Sequence, residues 1–261
     1  MKIATWNVNS VRVRMDQILE WLQKESIDVL GMQEIKTPDD KFPYNNFRDL
    51  GYNVESFGEV GFNGVAIASK FPMENVKKGF ALDARDQKRM ISCEINGIKI
   101  INVYVPNGKD VGTSDYYYKL DYLSKLKEYL ISLLKITNRI ILIGDLNVAL
   151  SDLDVYNSNQ MSFKIGFTHL ERNAMKDVLD IGFFDAFREF HKNDKIFSFW
   201  DYRANSFLRN IGLRVDYILM TKEIFEKAVF CGIDTKERAK RGSSDHAPVY
   251  AQINNLTGSG I

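Results

Sequence analysis

The chain repeatedly places polar side chains where an aliphatic run begins or ends. In Ile140-Ile-Leu-Ile-Gly-Asp-Leu-Asn, four aliphatic residues lead into Asp145 and Asn147. Successive side chains of an extended chain point to opposite faces, so these two polar groups share a face if the strand continues. Gly-Asp and Asn also form turns, and this stretch alone favours a turn and a functional strand end equally.

Five further runs lead to or from polar residues in the same way, at Asn7 and Asn9, Glu34, Tyr104 and Asn107, Asp216, and Asp245 and His246. In layered α/β folds, functional sites collect at such strand ends. Oxygen-bearing side chains dominate the set, with one His and no thiolate. This composition suits a hard cation such as Mg²⁺ or Mn²⁺ and argues against zinc.

Each of these residues also has a structural interpretation when it is taken singly. An Asn after a strand is commonly a turn or a cap, Tyr104 can be a packing aromatic, and His246 can be a structural histidine. The recurrence of the pattern in six segments favours a shared site. By contrast, His169 and His191 have no partners at a metal-binding spacing, which favours surface or structural roles for them.

Two segments outside these runs have competing interpretations. Residues 58–64 are glycine-rich but lack the Lys-Ser/Thr of a phosphate-binding loop, so we expect a turn before a strand. The charged loop 236–241 is either a solvated surface or a contact for phosphate oxygens, because it lies close to Asp245 and His246 in sequence. The sequence leaves both interpretations of this loop open.

The composition is that of an ordinary globular protein. Of 261 residues, 45% are apolar and 26% are charged, and the net charge of +1 neither requires nor excludes a polyanionic partner. No apolar run reaches the length of a membrane span, and the strand-like start predicts no targeting segment, so we expect a cytoplasmic protein without a membrane partner. Cys93 and Cys231 are expected to be reduced and buried.

Strand-like runs alternate with amphipathic helical patterns. The strand-like runs lie near residues 2–7, 27–33, 64–68, 89–95, 98–105, 139–144, 215–220 and 247–253. The helical patterns lie near residues 11–25, 115–135, 171–181 and 222–228. In the longest pattern, a stripe of leucines from Leu120 to Leu133 faces the core, and Lys119 is expected to lie off that stripe. We predict an α/β protein with packed sheet layers, a single domain over residues 1–253 and a disordered tail over 254–261.

Seven sequence blocks together resemble the exonuclease III/AP endonuclease family of the endonuclease/exonuclease/phosphatase superfamily. In chain order, from Thr5 to Val249, they are TWNVNSVRVR, VLGMQEIK, NGVAI, NVYVPNG, GDLNVA, FWDYRANSFLRNIGLRVDYIL and SDHAPV. The later blocks look most like the bacterial exonuclease III branch. The resemblance implies a four-layer α/β sandwich, with two mixed β-sheets packed face to face, helices outside, and the site at one end.

The resemblance also implies an activity and the residues that perform it. The activity is Mg²⁺-dependent hydrolysis of the phosphodiester 5′ to an abasic site, with 3′–5′ exonuclease and 3′-phosphodiesterase activity and with Mn²⁺ as a substitute ion. The implied metal ligands are Asn7, Glu34, Asp145, Asn147, Asp245 and His246. The implied catalytic residues are Tyr104, Asp145, Asn147, Asp216 and His246. Among them, Asp145 handles a proton, Asn147 donates to transition-state oxygens, and Asp216 orients the His246 ring.

The implied partner is double-stranded DNA with abasic sites or blocked 3′ ends, bound by a monomer. The implied DNA-binding residues are Asn9, Arg12, Lys36, Asn107, Trp200, Arg209, Lys240 and Arg241. The implied wall of the abasic-sugar pocket is Phe199, Trp200 and Leu213. An abasic nucleotide has lost its stacking, so its extrusion is cheap and gives selectivity without reading a base. The chain departs from many relatives at Ser10, and from the animal enzymes at Leu213, where they have Trp and a tighter wall.

Two other functions use parts of the same pattern. A superfamily phosphatase or phospholipid esterase would keep the metal and proton-transfer residues but would not need the block from Trp200 to Leu213 or a basic flank. A catalytically inactive DNA-binding module would tolerate gaps in the site, whereas every metal and proton-transfer position here holds a competent residue.

Overall fold

Within residues 1–254, which a computed structural model describes, twelve strands form two mixed six-stranded β-sheets. The strands are β1 (Lys2–Asn7), β2 (Val29–Gln33), β3 (Asn53–Phe57), β4 (Val65–Ser69), β5 (Glu74–Lys78), β6 (Met90–Ile95), β7 (Ile98–Tyr104), β8 (Ile140–Asp145), β9 (Phe183–Asp185), β10 (Asp216–Thr221), β11 (Ala228–Ile233) and β12 (Val249–Ile253). The first sheet has the order β11-β12-β1-β2-β4-β3, and the second has the order β5-β6-β7-β8-β10-β9.

Helices connect the strands on the outer faces of the sheets. They are α1 (Met15–Lys24), α2 (Tyr44–Arg48), α3 (Ser114–Leu134), α4 (Ser158–Met161), α5 (His169–Asp180), α6 (Ala186–Phe190), α7 (Lys222–Phe225) and α8 (Thr235–Ala239). Short 3₁₀ turns lie at Asp39–Lys41, Asp152–Asp154 and Arg203–Asn205.

The two sheets pack face to face through aliphatic side chains. Ile67 of the first sheet and Ile141 of the second belong to one buried cluster between the sheets. Alternation along β8 turns Leu142 the other way, towards Leu126 of α3 on the outer face. Trp21 of α1 packs in the same way on the outer face of the first sheet. The predicted four-layer α/β sandwich is therefore confirmed.

Strand direction brings the polar strand ends together at one rim. In each sheet two central strands run parallel, β1 with β2 and β7 with β8, so their carboxyl ends reach the same edge. Strands β12 and β10 run antiparallel to β1 and β8, so their amino ends reach that edge too. A hydrogen bond between Asn7 and Asp145 joins the edges of the two sheets.

The strand-like runs correspond to eight of the twelve described strands, whereas β3, β5, β9 and β11 lie outside them. Strand β5 has the sequence ENVKK and is a largely exposed edge strand, whose charged side chains conceal it. Strand β9 has only three residues. Strand β11 contains Cys231, and the predictions that this cysteine and Cys93 are buried and free are confirmed.

Helix α3 begins and ends within one residue of its predicted bounds, but one expectation about its faces is wrong. Lys119 is fully buried, as are Leu123, Leu126 and Leu130. These four positions follow i, i+4, i+7 and i+11, so Lys119 lies on the buried stripe of the helix.

Nowhere in residues 1–254 is a helix both long and apolar enough to span a bilayer. Of the tail expected to be disordered, residues 255–261 lie outside the described part of the chain. The single-domain organisation of residues 1–253 stays a prediction.

Candidate active site

One amide group joins carboxylates that belong to the two different sheets. Nδ2 of Asn7, at the end of β1, donates hydrogen bonds to Oε1 of Glu34 at 3.0 Å and to Oδ2 of Asp145 at 2.9 Å. Glu34 follows β2 in the first sheet, whereas Asp145 ends β8 in the second. The fold thus brings three predicted site residues, distant in sequence, to one rim.

The carboxylate of Glu34 is held by donors at both of its oxygens. The Tyr104 hydroxyl donates to Oε1 at 2.8 Å, and the Lys36 ammonium lies 2.7 Å from Oε2. Burial raises the pKa of Glu34, but hydrogen bonds from Asn7 and Lys36 and the charge of Lys36 outweigh burial and leave the pKa below its ordinary value. Burial raises the pKa of Tyr104 well above its usual value, so the phenol is neutral beside an ionised Glu34.

The chain after β8 forms a turn that still places Asp145 and Asn147 side by side. The main-chain N–H of Asn147 donates to Oδ1 of Asp145 at 3.0 Å, and Asn147 has a φ of 53°. Extended geometry therefore ends at Asp145, and a turn rather than strand alternation makes the two residues neighbours. Gly144, just before this turn, allows β8 to lie close to β7, because a Cβ there would lie 1.9 Å from the main-chain oxygen of Val103.

His246 lies between two buried aspartates. Its Nδ1 is 2.8 Å from Oδ2 of Asp216, and its Nε2 is 3.8 Å from Oδ2 of Asp145. Burial lowers the pKa of His246, but the charges of Asp216 and Asp145 outweigh burial and raise the pKa to about 10. Burial raises the pKa of Asp145 to about 7, although the charge of His246 opposes the shift. The imidazole is therefore a cation at neutral pH.

Two serine hydroxyls fix the chain on either side of this pair. Oγ of Ser198 accepts a hydrogen bond from the main-chain N–H of Asp216 at 3.1 Å. Oγ of Ser244 donates to the main-chain oxygen of Asn7 at 2.6 Å and accepts from the N–H of His246 at 3.2 Å. The sequence patterns do not single out either serine as a site residue, although Ser244 lies within the Ser-Asp-His block.

A cleft of about 540 Å³ opens over these residues. Its polar lining includes the predicted residues Glu34, Tyr104, Asn107, Asp145, Asn147, Asp245 and His246. Its apolar lining is Ile165, Phe199, Leu213 and Val215. The rings of Phe199 and His246 are in contact, with centroids 4.8 Å apart. An apolar wall thus stands directly beside the charged groups, at two of the three positions predicted for it.

Trp200, the third predicted wall residue, does not line the cleft. It is only 2% exposed, and its ring packs against Phe197 and Phe207. Its Nε1 donates to Oδ1 of Asn210 at 3.2 Å. Phe199 and Trp200 are consecutive, and consecutive side chains of an extended segment face opposite ways. The expectation that Trp200 contacts DNA and the abasic sugar is therefore corrected: the indole is buried against Phe197 and Phe207, outside the cleft lining.

Three of the predicted DNA-binding residues lie at the charged rim. Nζ of Lys36 donates to Oδ1 of Asn9 at 2.5 Å, so Lys36 contacts Asn9 as well as Glu34. Nδ2 of Asn107 donates to Oδ1 of Asn147 at 3.1 Å. Of the three, Asn107 lines the cleft, whereas Lys36 and Asn9 contact the lining residues Glu34 and Asp245.

The remaining predicted DNA-binding residues lie outside the cleft lining. Arg12, Arg209 and Arg241 are exposed on surface loops. Lys240 is paired with Glu20 at 3.1 Å and with Glu237 at 2.9 Å. The charge of Lys240 is thus balanced within the protein, which weakens its assignment as a phosphate contact.

Several residues at or under the site are absent from the sequence-based set. Arg14 donates to the main-chain oxygen of Asn9 and to the hydroxyl of Tyr202, the latter at 3.0 Å. Lys109, Asp110, Asp201 and Arg203 line the cleft. Lys119 and Glu171 form a fully buried ion pair beneath it. For these residues the sequence offers one local pattern, the capping box formed by Thr168 and Glu171, which marks the start of α5.

The arrangement offers mainly oxygen ligands to a cation. One atom each from Asp145, Asp216 and His246 lies within 4.8 Å of the others, and the buried Oδ1 of Asp216 has no hydrogen-bond partner among the described residues. At neutral pH the His246 imidazolium has no free lone pair and cannot ligate, so the carboxylate oxygens are the available donors, and a hard divalent cation fits them. Asn7 presents its Nδ2 to the carboxylates, so ligation through Asn7 requires a rotated amide.

Asp245, also a predicted ligand, bonds elsewhere. Its Oδ1 accepts a hydrogen bond from Nδ2 of Asn9 at 3.1 Å, and it lies outside the group of Asp145, Asp216 and His246. Its position at the edge of the cleft suits a supporting role.

Comparison with known proteins places this geometry in a family. Residues 4–246 match the Endonuclease/Exonuclease/phosphatase family. Exodeoxyribonuclease III of Haemophilus influenzae is 35% identical over 97% of this chain and 100% of its own length. An AP endonuclease structure from Archaeoglobus fulgidus superposes with a TM-score of 0.94 at 38% identity, over 98% of this chain and 100% of that one. The 3′ phosphatase NExo from Neisseria, bound to a product DNA hairpin, superposes with a TM-score of 0.95 at 34% identity over the same shares.

The chain belongs to the Endonuclease/Exonuclease/phosphatase family, whose members depend on a metal ion. The resemblance to exonuclease III and AP endonucleases is confirmed, because relatives with those names match over nearly the whole chain. The chain is thus a phosphodiester-hydrolysing enzyme of the DNA-repair nuclease type, and its relatives support DNA as the substrate.

Proposed function

We propose that this protein is a Mg²⁺-dependent nuclease, with Mn²⁺ as a substitute ion, that cleaves the phosphodiester 5′ to abasic sites in duplex DNA. We further propose that it removes blocking groups and nucleotides from 3′ ends and acts as a cytoplasmic monomer. The observation that carries the proposal is the Asn7 amide, which bonds to Glu34 and Asp145 at once beside the His246 ring.

Hydrolysis of a phosphodiester requires neutralisation of its charge, an activated water and a stabilised leaving oxygen. We assign Glu34, Asn7 and Asp145 to bind the divalent ion, with support from Asp245, and the bound ion would act as a Lewis acid on the phosphate. The charge of the imidazolium of His246, oriented by Asp216, favours an anionic phosphate in the cleft.

Proton transfer falls to Asp145 or His246, which face each other across 3.8 Å. A carboxyl group with a pKa raised to about 7 suits the transfer of a proton between water and the departing 3′ oxygen at neutral pH. Asn147 Nδ2, which donates to the main-chain oxygen of Val105 at 2.9 Å, is assigned to the oxygens of the transition state. The Tyr104 hydroxyl, neutral and 2.8 Å from Glu34, is assigned to position the phosphate.

Selection of an abasic nucleotide would rest on the apolar wall of Phe199 and Leu213 rather than on recognition of a base. A sugar without a base needs little energy to leave the helix and presents an apolar face to such a wall. The exposed Arg12, Arg209 and Arg241 are assigned to flanking phosphates, because backbone contacts fix the register of the duplex without reading sequence.

The test uses a 5′-labelled duplex with one tetrahydrofuran abasic analogue and a second duplex with a 3′-phosphate. We expect incision immediately 5′ to the analogue and release of the 3′-phosphate in Mg²⁺, and neither product in EDTA. Glu34→Gln should reduce both activities, whereas Glu128→Gln, an exposed change on α3, should reduce neither. Hydrolysis of sugar or lipid phosphates without DNA incision would instead indicate the phosphatase or esterase function.

A further inference from the structure

A buried lysine ties together two asparagines of the candidate site. Lys119 of α3 is fully buried, and its Nζ donates to the main-chain oxygens of Asn107 at 3.1 Å and Asn147 at 2.7 Å. Its third partner is Oε1 of Glu171 at 2.5 Å. An ammonium group has three hydrogens, so these contacts use its full donor capacity.

The carboxylate of Glu171 extends this link to a third loop. Its Oε1 accepts from the main-chain N–H of Gly166 at 3.0 Å, and its Oε2 accepts from the N–H and the hydroxyl of Thr168 at 2.9 and 2.8 Å. Gly166 lines the cleft and its oxygen accepts from the N–H of Ala149. One ion pair thus fixes three chain segments, 105–109, 146–150 and 165–168.

Local backbone geometry accommodates the lysine. Asn147 has a left-handed backbone with a φ of 53°, and Gly108 has a φ of +88°. A Cβ on Gly108 would lie 3.1 Å from Cδ of Lys119, so the chain passes directly over the lysine side chain. Left-handed conformations persist where the surroundings hold them, and the Lys119 ammonium bonds to the carbonyl of one such residue.

A buried ion pair is a weak source of stability, because the loss of hydration offsets most of the attraction between the charges. The position of the Lys119–Glu171 pair is therefore better explained by the loops that it fixes than by a contribution to the stability of the fold. It holds the main chain of Asn147, whose side chain faces the cleft, and of Asn107, whose Nδ2 bonds to the side chain of Asn147 at 3.1 Å.

We propose that Lys119 and Glu171 are positioning residues for the phosphodiester hydrolysis, and that they act by fixing Asn147 over the cleft, together with Asn107, whose main-chain oxygen Lys119 also holds. The inference rests on the proposed function for its kinetic consequences, but the ordering of the loops does not depend on it. Neither residue touches the cleft, so DNA affinity should change little while turnover falls.

The test compares Lys119→Met, the double variant Lys119→Met/Glu171→Gln, and Leu130→Ala as a matched control. Leu130 is buried in α3 about three turns away, so its truncation destabilises the same helix without touching the site loops. The double variant does not leave the buried carboxylate of Glu171 without a partner. It therefore replaces Lys119→Met in the test if the single variant does not fold. Measurements are kcat, KM and DNA affinity on the abasic duplex, and amide hydrogen exchange of the full chain.

For the double variant we expect kcat to fall by about 10–100-fold with KM and DNA affinity nearly unchanged, because small displacements of a catalytic group are costly. Exchange should accelerate in segments 105–109 and 146–150, and Leu130→Ala should show neither effect. In an Asn147→Ala background the same double change should reduce kcat little further, because the effect passes through Asn147.

Two results would overturn the inference. One is unchanged exchange in both segments, which counts against it whether or not the enzyme cleaves abasic DNA. The other is a kcat loss of equal size in the Asn147→Ala background, which would show a general effect on the fold. An inactive wild-type protein whose loops loosen in the double variant would refute the proposed function and, with it, the kinetic role of the pair, and would leave only the ordering of the loops.

Discussion

Asp145 and Asp216 are direct register partners across the antiparallel strands β8 and β10, at the end where both strands reach the rim. The ring of His246 faces both carboxylates, at 3.8 and 2.8 Å. Like charges placed opposite each other on a sheet repel, and a cation between them removes the repulsion. The protonation of His246 and the binding of a divalent ion are therefore two ways to balance the same charges.

We expect His246 to stay protonated well above pH 6.5 in the chelated protein. Its folded pKa is raised to about 10, so the folded chain binds this proton more tightly than the unfolded chain does. The resulting stabilisation is complete below about pH 6.5 and is lost as the pH rises towards 10. Histidine NMR titration in EDTA should show this, and Asp216→Asn should lower the pKa. A His246 signal that titrates near pH 6.5 in the unmodified protein would contradict the assignment.

Asp145→Asn should separate catalysis from stability. Removal of a proton acceptor is expected to lower kcat by about 10²–10⁴-fold. Because burial disfavours the charge of Asp145, a neutral amide should leave the unfolding free energy at pH 8 unchanged or higher. Denaturant unfolding and single-turnover incision measure the two effects. The control is Asp152→Asn, an exposed change in the same connection. Near-normal turnover of Asp145→Asn would refute its proposed role.

Lys36→Met should change the metal dependence of the enzyme. The ammonium lies 2.7 Å from Oε2 of Glu34 and competes with a cation for that oxygen. Without it, we expect the Mg²⁺ concentration for half-maximal activity to fall several-fold, while KM for DNA rises because a phosphate-binding charge is lost. Lys176→Met, an exposed change on α5, controls for net charge. An unchanged or higher Mg²⁺ requirement would show that Lys36 does not oppose the ion.

Leu213→Ala should weaken the preference of the apolar wall for abasic nucleotides over nucleotides that retain a base. Leu213 lines the cleft beside Phe199, so truncation widens the space for a nucleotide that retains its base. We expect the ratio of 3′ exonuclease activity on undamaged ends to abasic-site incision to rise. Leu208→Ala is the matched control, because Leu208 lies in the same segment but is 84% exposed. An equal ratio of the two activities in Leu213→Ala and Leu208→Ala would show that Leu213 does not determine the preference for abasic nucleotides.

The polar strand ends could be predicted because each shows a local sequence pattern. An aliphatic run followed by Glu34 or Asp145 identifies a strand end, and strand direction in a layered fold then brings the ends together. The resemblance supplied what local patterns lack, namely that the ends of two different sheets form one site. Local patterns do not indicate edge strands such as β5, because their charged side chains resemble those of a loop.

Side-chain direction and buried charge could not be predicted in the same way. Lys119 follows the helical spacing of buried residues, but a lysine is normally assigned to the surface because its burial requires a partner, and Glu171 lies 52 residues away. The resemblance predicts that Trp200 lines the pocket wall with Phe199, whereas consecutive extended residues face opposite sides. Spacing and alternation indicate the directions of these two side chains, but only the fold defines the partners that allow their burial, Glu171 for Lys119 and Asn210 for Trp200.

The proposed chemistry requires that the rim bind a divalent ion between residues of the two sheets. Anomalous diffraction from crystals grown with Mn²⁺ locates such an ion. We expect a peak within about 2.5 Å of a carboxylate oxygen of Glu34 or Asp145, which Glu34→Gln weakens. A strong peak remote from both carboxylates, or none at saturating Mn²⁺ in active crystals, would contradict it.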